Sequence, residues 1–332
     1  MLKRVVSVLL AFVFVAGGIA AAVFAEGGTD PCTDGLPARY DGREIGYIPT
    51  HTVDQGHVGA CWIRSSLLAI ECYMVKNGVI DAATGLPATT DVDLSDYHVG
   101  WFIYDKGYDK LGLLSGDETF LFNDDPILMT YNRLYPGGNS EIVALLMMRW
   151  EGPAPESVPA LSLGNITLEG IDPEYAWAYD SAHLQNTEMI PTRRAEEVKR
   201  AITEYGAGAL NLYFDTPYYD PVTFAYYNPD ADNTNHFVTV VGWDDDYPAE
   251  TFGACGRIPE KNGAWICRNT WGEEWGEDGY FYVSYEDLAS LSGSTTFFTT
   301  EPVDNYDSIY QYDGTISRIV WESAWPVANT FT

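Results

Sequence analysis

The chain has 332 residues, 46% of them hydrophobic, and its 18 basic and 48 acidic side chains give a formal charge of −30. A chain of this length and composition can bury a sizeable core. The strong negative charge repels polyanions and anionic membrane surfaces, so the composition argues against nucleic-acid-binding classes and predicts no nucleic-acid partner.

The N-terminus has the pattern of an export signal. Lys3 and Arg4 precede a long apolar stretch, and residues 23–25 offer a small-residue cleavage site. We therefore predict a signal peptide over residues 1–25, a short linker over 26–35, and an extracellular or cell-surface location. An uncleaved N-terminal anchor is the alternative, and no further membrane partner is expected, because no later stretch reaches the length of a membrane helix.

Cys61 follows a glycine-containing loop and begins a stretch with apolar residues at helical spacing. Gly56 and Gly59 make the approach flexible, and no helix breaker follows before Gly78. The pattern predicts a helix over about 61–76 with Cys61 at its N-terminus, a position that lowers the pKa of a thiol and favours the nucleophilic thiolate. The alternative is that Cys61 is a small buried core residue.

The rest of the chain reads as a mixture of helices and strands. Further helices are predicted over about 94–105, 139–150 and 192–205. Residues 151–191 are rich in proline, glycine and acids, and we interpret them as a long ordered excursion. Alternating β-branched and aromatic residues predict strands over about 207–214, 236–243, 264–268, 279–284 and 294–299.

Two later segments supply the groups that a cysteine nucleophile needs. His236 begins a β-rich run, and Asn269 lies in a strand-like segment that continues into Trp271. His51 and His57 also come close to the thiol in sequence, but they occupy the loop before it. A thiol, an imidazole and an orienting amide in this order indicate a cysteine-nucleophile hydrolase.

The remaining cysteines and acids do not define a cofactor site. With Cys61 as a free nucleophile, four cysteines are left, and their three pairings stay open. These four are Cys32, Cys72, Cys255 and Cys267. No spacing indicates zinc, and the acidic runs do not follow a calcium-loop pattern, so we predict neither a metal nor an organic cofactor.

The segment around Cys61 resembles the active-site segment of papain-like cysteine peptidases, and the resemblance covers roughly residues 36–300. It implies that Gln55, six residues before Cys61, helps to form the oxyanion hole. It further implies that His236 is the catalytic histidine and that Asn269 orients its imidazole.

Three more residues take their roles from the same resemblance. Gly137 and Gly138 match the double-glycine segment that binds extended substrate backbone, and Trp271 would shield the His236–Asn269 hydrogen bond from water. These roles make Gly137, Gly138 and Trp271 the predicted substrate-binding residues.

The resemblance also implies the architecture. We expect an α+β, two-lobed papain-like fold, with a helical lobe, an antiparallel β-barrel-like lobe and the active site in the cleft between them. The peptidase domain would span residues 36–302 and contain insertions. The tail, residues 303–332, resembles the start of the lectin-like module of secreted prokaryotic members. The resemblance implies a truncated module and predicts a carbohydrate contact through this tail.

The predicted function is an exported cysteine endopeptidase acting on a protein or peptide substrate. Two alternatives keep the fold: a catalytically silent surface binding or adhesion protein, and an acyl transferase that uses the same thiol. Arg64 on the central helix and the short stretch between Ala25 and Leu36, too small for an inhibitory pro-segment, motivate the silent alternative. A buried Arg64 requires an acidic neighbour, for which the inserted middle region is one source.

Overall fold

The computed structural model describes residues 35–103, 137–158, 171–172 and 174–306. Some of the predictions lie outside this part of the chain: the signal peptide over residues 1–25, nearly all of the linker over 26–35, the pairing of Cys32, and the lectin-like tail after residue 306. The described residues from Leu36 onward belong to a single compact unit.

Seven α-helices occur in the described ranges, and the longest is the one that Cys61 begins. In chain order they are α1 (Gly42–Ile45), α2 (Cys61–Asn77), α3 (Asp96–Phe102), α4 (Ser140–Met147), α5 (Tyr175–Ala178), α6 (Ala195–Tyr205) and α7 (Leu288–Ser292). Helix α2 ends where Gly78 adopts a left-handed conformation, with φ of 63°, which a residue without a Cβ adopts readily. Two 3₁₀ helices cover Thr216–Tyr218 and Ala249–Cys255.

The part of the chain that the structure describes contains ten strands, which form one large sheet and one small hairpin. They are β1 (Arg39–Asp41), β2 (Ile80–Asp81), β3 (Leu86–Pro87), β4 (His183–Pro191), β5 (Gly208–Leu212), β6 (Ala225–Tyr226), β7 (His236–Asp244), β8 (Ala264–Arg268), β9 (Tyr280–Ser284) and β10 (Ser294–Glu301). The large sheet has the order β4-β10-β5-β7-β8-β9-β6, and β1 also pairs with β7. Its pairings are antiparallel except that between β6 and β9.

Both faces of this sheet are covered. Helix α2 packs against β5, β7 and β10, and α6 contacts the same strands. Neighbouring side chains on β10 point to opposite faces of the sheet. Phe298 packs in the core around α2, and Phe297 packs in the core that contains Val198 and Ile202 of α6. This alternation follows from the two-residue repeat of a strand. It sets α2, with Cys61 at its first turn, directly beside the strand that His236 begins.

The predicted α+β fold is confirmed, with helices beside a large, mainly antiparallel sheet. The four predicted helices and five predicted strands are present, with ends displaced by a few residues. The nine-residue strand β4 was not predicted, because residues 183–191 lack strict alternation and owe their extended conformation to pairing with β10. In the part of the chain that the structure describes, no helix is long and apolar enough to span a membrane.

The prediction that the inserted middle region supplies the acidic partner of Arg64 was wrong. Arg64 Nη2 lies 2.8 Å from Asp96 Oδ2, and both side chains are largely buried. Asp96 is the first residue of α3, outside the inserted middle region. A buried charge is tolerated in α2 because this carboxylate neutralises it.

Candidate active site

Cys61 is the first residue of α2 and is 9% exposed. The preceding loop turns at Gly56, whose φ is 57° and whose N–H donates to Asp54 Oδ1 at 2.8 Å. Ala60 caps the helix without a side-chain hydrogen bond, so no capping side chain competes for the first backbone N–H groups of α2.

Burial and backbone amides act on the thiol in opposite directions. Burial raises the pKa of Cys61, while the backbone N–H groups of Phe237, Trp62 and Cys61 itself lower it by donating toward sulfur. Phe237 is the residue after His236. The thiol therefore lies against the start of β7, the strand that His236 begins, although Cys61 and His236 are far apart in sequence.

His236 is the first residue of β7 and is buried against Asn269. His236 Nε2 lies 2.8 Å from Asn269 Oδ1, and both residues are at most 5% exposed. Because the amide oxygen only accepts, Nε2 carries the hydrogen and Nδ1 is left as the basic nitrogen. Burial lowers the pKa of His236 to about 4, and the hydrogen bond to Asn269 opposes this shift more weakly.

An aromatic cluster covers the imidazole and its amide partner. The Trp271 ring stacks on His236 with centroids 4.6 Å apart and an angle of 25°. Phe214 meets Trp271 edge-on at 4.8 Å, and Trp275 does so at 5.1 Å. Trp271 therefore packs on the His236 ring, beside the hydrogen bond that the resemblance predicts it to shield.

Gln55 is fixed by the segment that follows Asn269. Its backbone N–H donates to Thr270 O at 2.8 Å, and its side-chain Oε1 accepts from the Thr270 hydroxyl. Gln55 Nε2 donates to Val58 O at 2.7 Å. Because an amide nitrogen carries two hydrogens, this leaves a second donor for a ligand.

Arg268 was missed as a residue that positions the site. It is 5% exposed, and its guanidinium donates to Pro49 O at 2.8 Å and to His51 O at 2.7 Å. The arginine immediately before Asn269 thus holds the loop that leads to Gln55. A signal was available in the sequence, since a charged residue within an otherwise apolar strand requires buried partners.

Gly137 and Gly138 precede α4, and Gly138 lies beside Trp62, the residue that follows Cys61. A Cβ added to Gly138 would come within 2.6 Å of the Trp62 indole, whereas one added to Gly137 would meet no described atom within 4 Å. Asn139 then caps α4 by accepting from Ile142 N at 3.0 Å. Gly138 therefore brings the backbone that precedes α4 close to Trp62, the residue next to the predicted nucleophile.

The other histidines are held outside this arrangement. His98 is buried and bonds to Tyr175 O at 2.8 Å, and His183 stacks on Trp150 at 4.3 Å. His57 is exposed in the loop before Cys61. None of the three contacts His236 or Asn269 in the described ranges.

His51, Glu71 and Asp93 form the group of described residues that has metal-ligand chemistry, with one ligand atom of each within 4.8 Å of the others. His51 Nε2 is nevertheless only 2.8 Å from Glu71 Oε2, and Glu71 Oε1 accepts from Leu94 N at 2.7 Å. Burial opposes a charge on His51, but the Glu71 carboxylate raises the pKa of His51 to about 9. The imidazole is therefore protonated at neutral pH and offers no lone pair to a metal, so the group fits an ion-paired brace better than a metal centre.

The described cysteines carry free thiols. These are Cys61, Cys72, Cys255 and Cys267, and Cys255 is the most accessible of them. Burial raises the pKa of Cys72 and of Cys267, so both behave as core residues.

Comparison with known proteins agrees with this geometry. Residues 173–295 match the family model described as papain family cysteine protease. Procathepsin L of Felis catus is 27% identical over 267 residues, which cover 79% of this chain, and cathepsin J of Mus musculus is 31% identical over 273 residues, which cover 80%. The match spans 66% of each relative, slightly under two thirds of its length.

A solved structure shows the same fold. It contains the cysteine protease and lectin-like domains of Cwp84, a surface layer associated protein of Clostridium difficile. The TM-score is 0.64 at 23% identity, and the match covers 85% of this chain and 56% of that one.

Proposed function

We propose that this chain, which carries a papain family cysteine protease domain, is an exported cysteine endopeptidase. The observation that supports this best is the buried 2.8 Å contact between His236 Nε2 and Asn269 Oδ1, next to a thiol at a helix N-terminus. In this proposal Cys61 is the nucleophile, His236 the base and acid, and Asn269 the orienting group.

The proposed reaction begins with proton transfer from Cys61 to His236. Burial disfavours either charge alone, but transfer creates an opposite pair whose members stabilise each other. The thiolate attacks the peptide carbonyl carbon, a C–S bond forms, and the carbonyl electrons move onto oxygen. The free N–H of Gln55 Nε2 and the backbone N–H of Cys61 donate to that oxyanion.

The second half of the cycle returns the enzyme to its starting state. The imidazolium of His236 protonates the leaving nitrogen as the C–N bond breaks, which releases the amine and leaves a thioester on Cys61. The neutral imidazole then takes a proton from water, whose oxygen attacks the thioester. Collapse releases the carboxylic acid and restores the thiol, so atoms and protons balance.

The location and the tail complete the proposal. The export signal over residues 1–25 supports an extracellular or cell-surface enzyme, and the match to a surface layer associated protein is consistent with it. Because that protein has a lectin-like domain, the resemblance of residues 303–332 supports a carbohydrate contact at the C-terminal end.

Intact mass spectrometry with an epoxysuccinyl thiol-protease inhibitor tests the proposal. We expect one adduct on Cys61, formed about 10²-fold or more slowly in His236→Ala because the general base is lost. A Cys255→Ser variant is the matched control, since it removes the most accessible other described thiol and should leave the adduct intact.

The same samples separate the alternatives. Hydrolysis of casein by the reactive protein supports the peptidase, whereas products that require an added amine acceptor indicate an acyl transferase. A folded protein that forms no adduct contradicts the peptidase and favours the silent binding protein. The ion pair between Arg64 and Asp96 removes one motive for that alternative, because the charge is neutralised within the helical lobe.

A further inference from the structure

A cavity of about 360 Å³ lies next to the candidate active site. Gly138 and Phe237 are among its lining residues. Gly138 packs against Trp62, which follows Cys61, and the Phe237 N–H faces the Cys61 sulfur. The cavity is therefore bounded by both walls of the cleft, where the side chain of a bound peptide would enter.

The interior of this cavity is polar and contains a buried acceptor. Asn211 Oδ1 is buried and has no hydrogen-bond partner among the residues that the structure describes. The amide lies directly over Gly293, where an added Cβ would collide with it. Thr296, which is 3% exposed, and Ser294 add hydroxyl groups to the lining. A buried polar group without a partner is costly, so this site favours a ligand that supplies hydrogen bonds.

Charge and apolar contacts limit the ligand further. Glu141, in the first turn of α4, is the charged member of the described lining, and no basic side chain in the described ranges pairs with it. Met189 and Phe237 supply the larger apolar surfaces. An apolar wall beside a carboxylate and an amide suits a long side chain with a methylene stem and a charged, hydrogen-donating end.

We propose that this cavity selects a lysine or arginine side chain of the substrate, with Glu141 and Asn211 as the specificity-determining residues. The inference rests on the proposed peptidase function. An acidic side chain would be repelled by Glu141 and by the charge of −30. An aliphatic side chain would leave the Asn211 oxygen without a partner. Sites that hydrogen-bond a polar substrate group discriminate strongly against substrates that lack that group.

Matched fluorogenic peptides test the proposal. Arginine, lysine, leucine or glutamate is placed in turn at each position on the acyl side of the cleaved bond, and kcat/KM is measured with the full chain. We expect arginine or lysine to exceed leucine by about tenfold or more at one position. Glu141→Gln should reduce that ratio about fivefold, and Asn211→Leu should shift preference toward leucine.

A control variant separates local recognition from overall charge. Asp91→Asn makes the same change of charge at an exposed residue that does not line the cavity, and it should leave the arginine-to-leucine ratio unchanged. Melting temperatures of the variants show that each is folded. If Asp91→Asn lowers the ratio as much as Glu141→Gln does, the field of the whole protein causes the preference and the assigned residues are wrong.

The remaining outcomes distinguish the inference from the function on which it rests. Efficient cleavage with a preference for leucine or glutamate overturns the inference and leaves the peptidase proposal standing. Absence of both cleavage and the Cys61 adduct in folded protein overturns both.

Discussion

At the scale of single residues, each group of the candidate site is held by a partner from a distant part of the chain. Gln55 is fixed by Thr270, and His236 by Asn269. The amide of Phe237 faces the sulfur of Cys61. Such bonds reduce the freedom of the reacting groups before a substrate arrives, which is how an active site lowers the entropic part of a barrier.

The double glycine gives a prediction at this scale. Gly138→Ala should lower kcat/KM by about 10²-fold, because the new Cβ would lie 2.6 Å from Trp62 and must displace either the glycine segment or the residue next to Cys61. Peptide hydrolysis and the rate of Cys61 alkylation measure the effect.

Gly137→Ala is the control for this substitution. It adds the same methyl group where no atom of the described residues lies within 4 Å, so any effect should be confined to direct substrate contact and be much smaller. Equal losses in the two variants would show that close packing on Trp62 is not what the site requires.

At the scale of elements, the loop before Cys61 is braced from two sides. Arg268 of β8 binds its backbone carbonyls, and His51 joins it to Glu71 of α2. Burial alone would lower the pKa of His51, but the Glu71 carboxylate, aided by Asp93 and opposed by Arg268, raises it to about 9. The imidazolium therefore stabilises the fold at neutral pH.

The stabilisation that His51 contributes should decrease as the pH rises. Because the folded pKa of His51 exceeds its ordinary value of 6.5, the stabilisation is complete below about pH 6.5 and is lost as pH rises through about 9. At about 1.4 kcal/mol for each pKa unit, the free energy of unfolding should fall by up to about 3 kcal/mol over this range.

Urea unfolding at several pH values checks this expectation. His51→Gln should flatten the curve between about pH 6.5 and 9, because the group that titrates there is removed. His57→Gln changes an exposed histidine of the same loop and should follow the wild-type curve. A wild-type curve that rises across this range would refute the assignment.

At the scale of the whole molecule, the excess of acidic residues determines the sign of the net charge and makes the folded chain repel itself. A formal charge of −30 destabilises a compact state through self-repulsion, and salt weakens that repulsion. Raising the salt concentration from about 0.01 M to about 0.1 M shortens the screening length from about 30 Å to about 10 Å. The melting temperature should therefore rise, by about 2–4 °C if about 1 kcal/mol is gained.

Calorimetry in sodium chloride and in choline chloride measures this effect. General screening predicts equal increases in the two salts, because only ionic strength matters. A rise restricted to sodium chloride would indicate binding of a particular cation, and an unchanged or lower melting temperature would refute self-repulsion as a significant cost.

Much of the fold was predictable from local patterns. Helix α2 and strands β7 and β8 follow from apolar spacing and β-branched residues, which act within a few neighbouring positions. Strand β4 escaped prediction because its conformation depends on pairing with β10, more than a hundred residues later. The roles of Cys61, His236 and Asn269 were named from order and resemblance and stay predictions until they are tested.

The sequence by itself determined the residue types, their order and the elements that carry them, because these depend on short-range spacing and on a recognisable set of motifs. The tertiary structure decided that Thr270 binds Gln55 and that Arg268 binds the loop carbonyls, and it placed Asn211 and Glu141 in the lining of one cavity. These contacts join residues tens to hundreds of positions apart. Their existence depends on how the sheet and α2 pack, which no local pattern encodes.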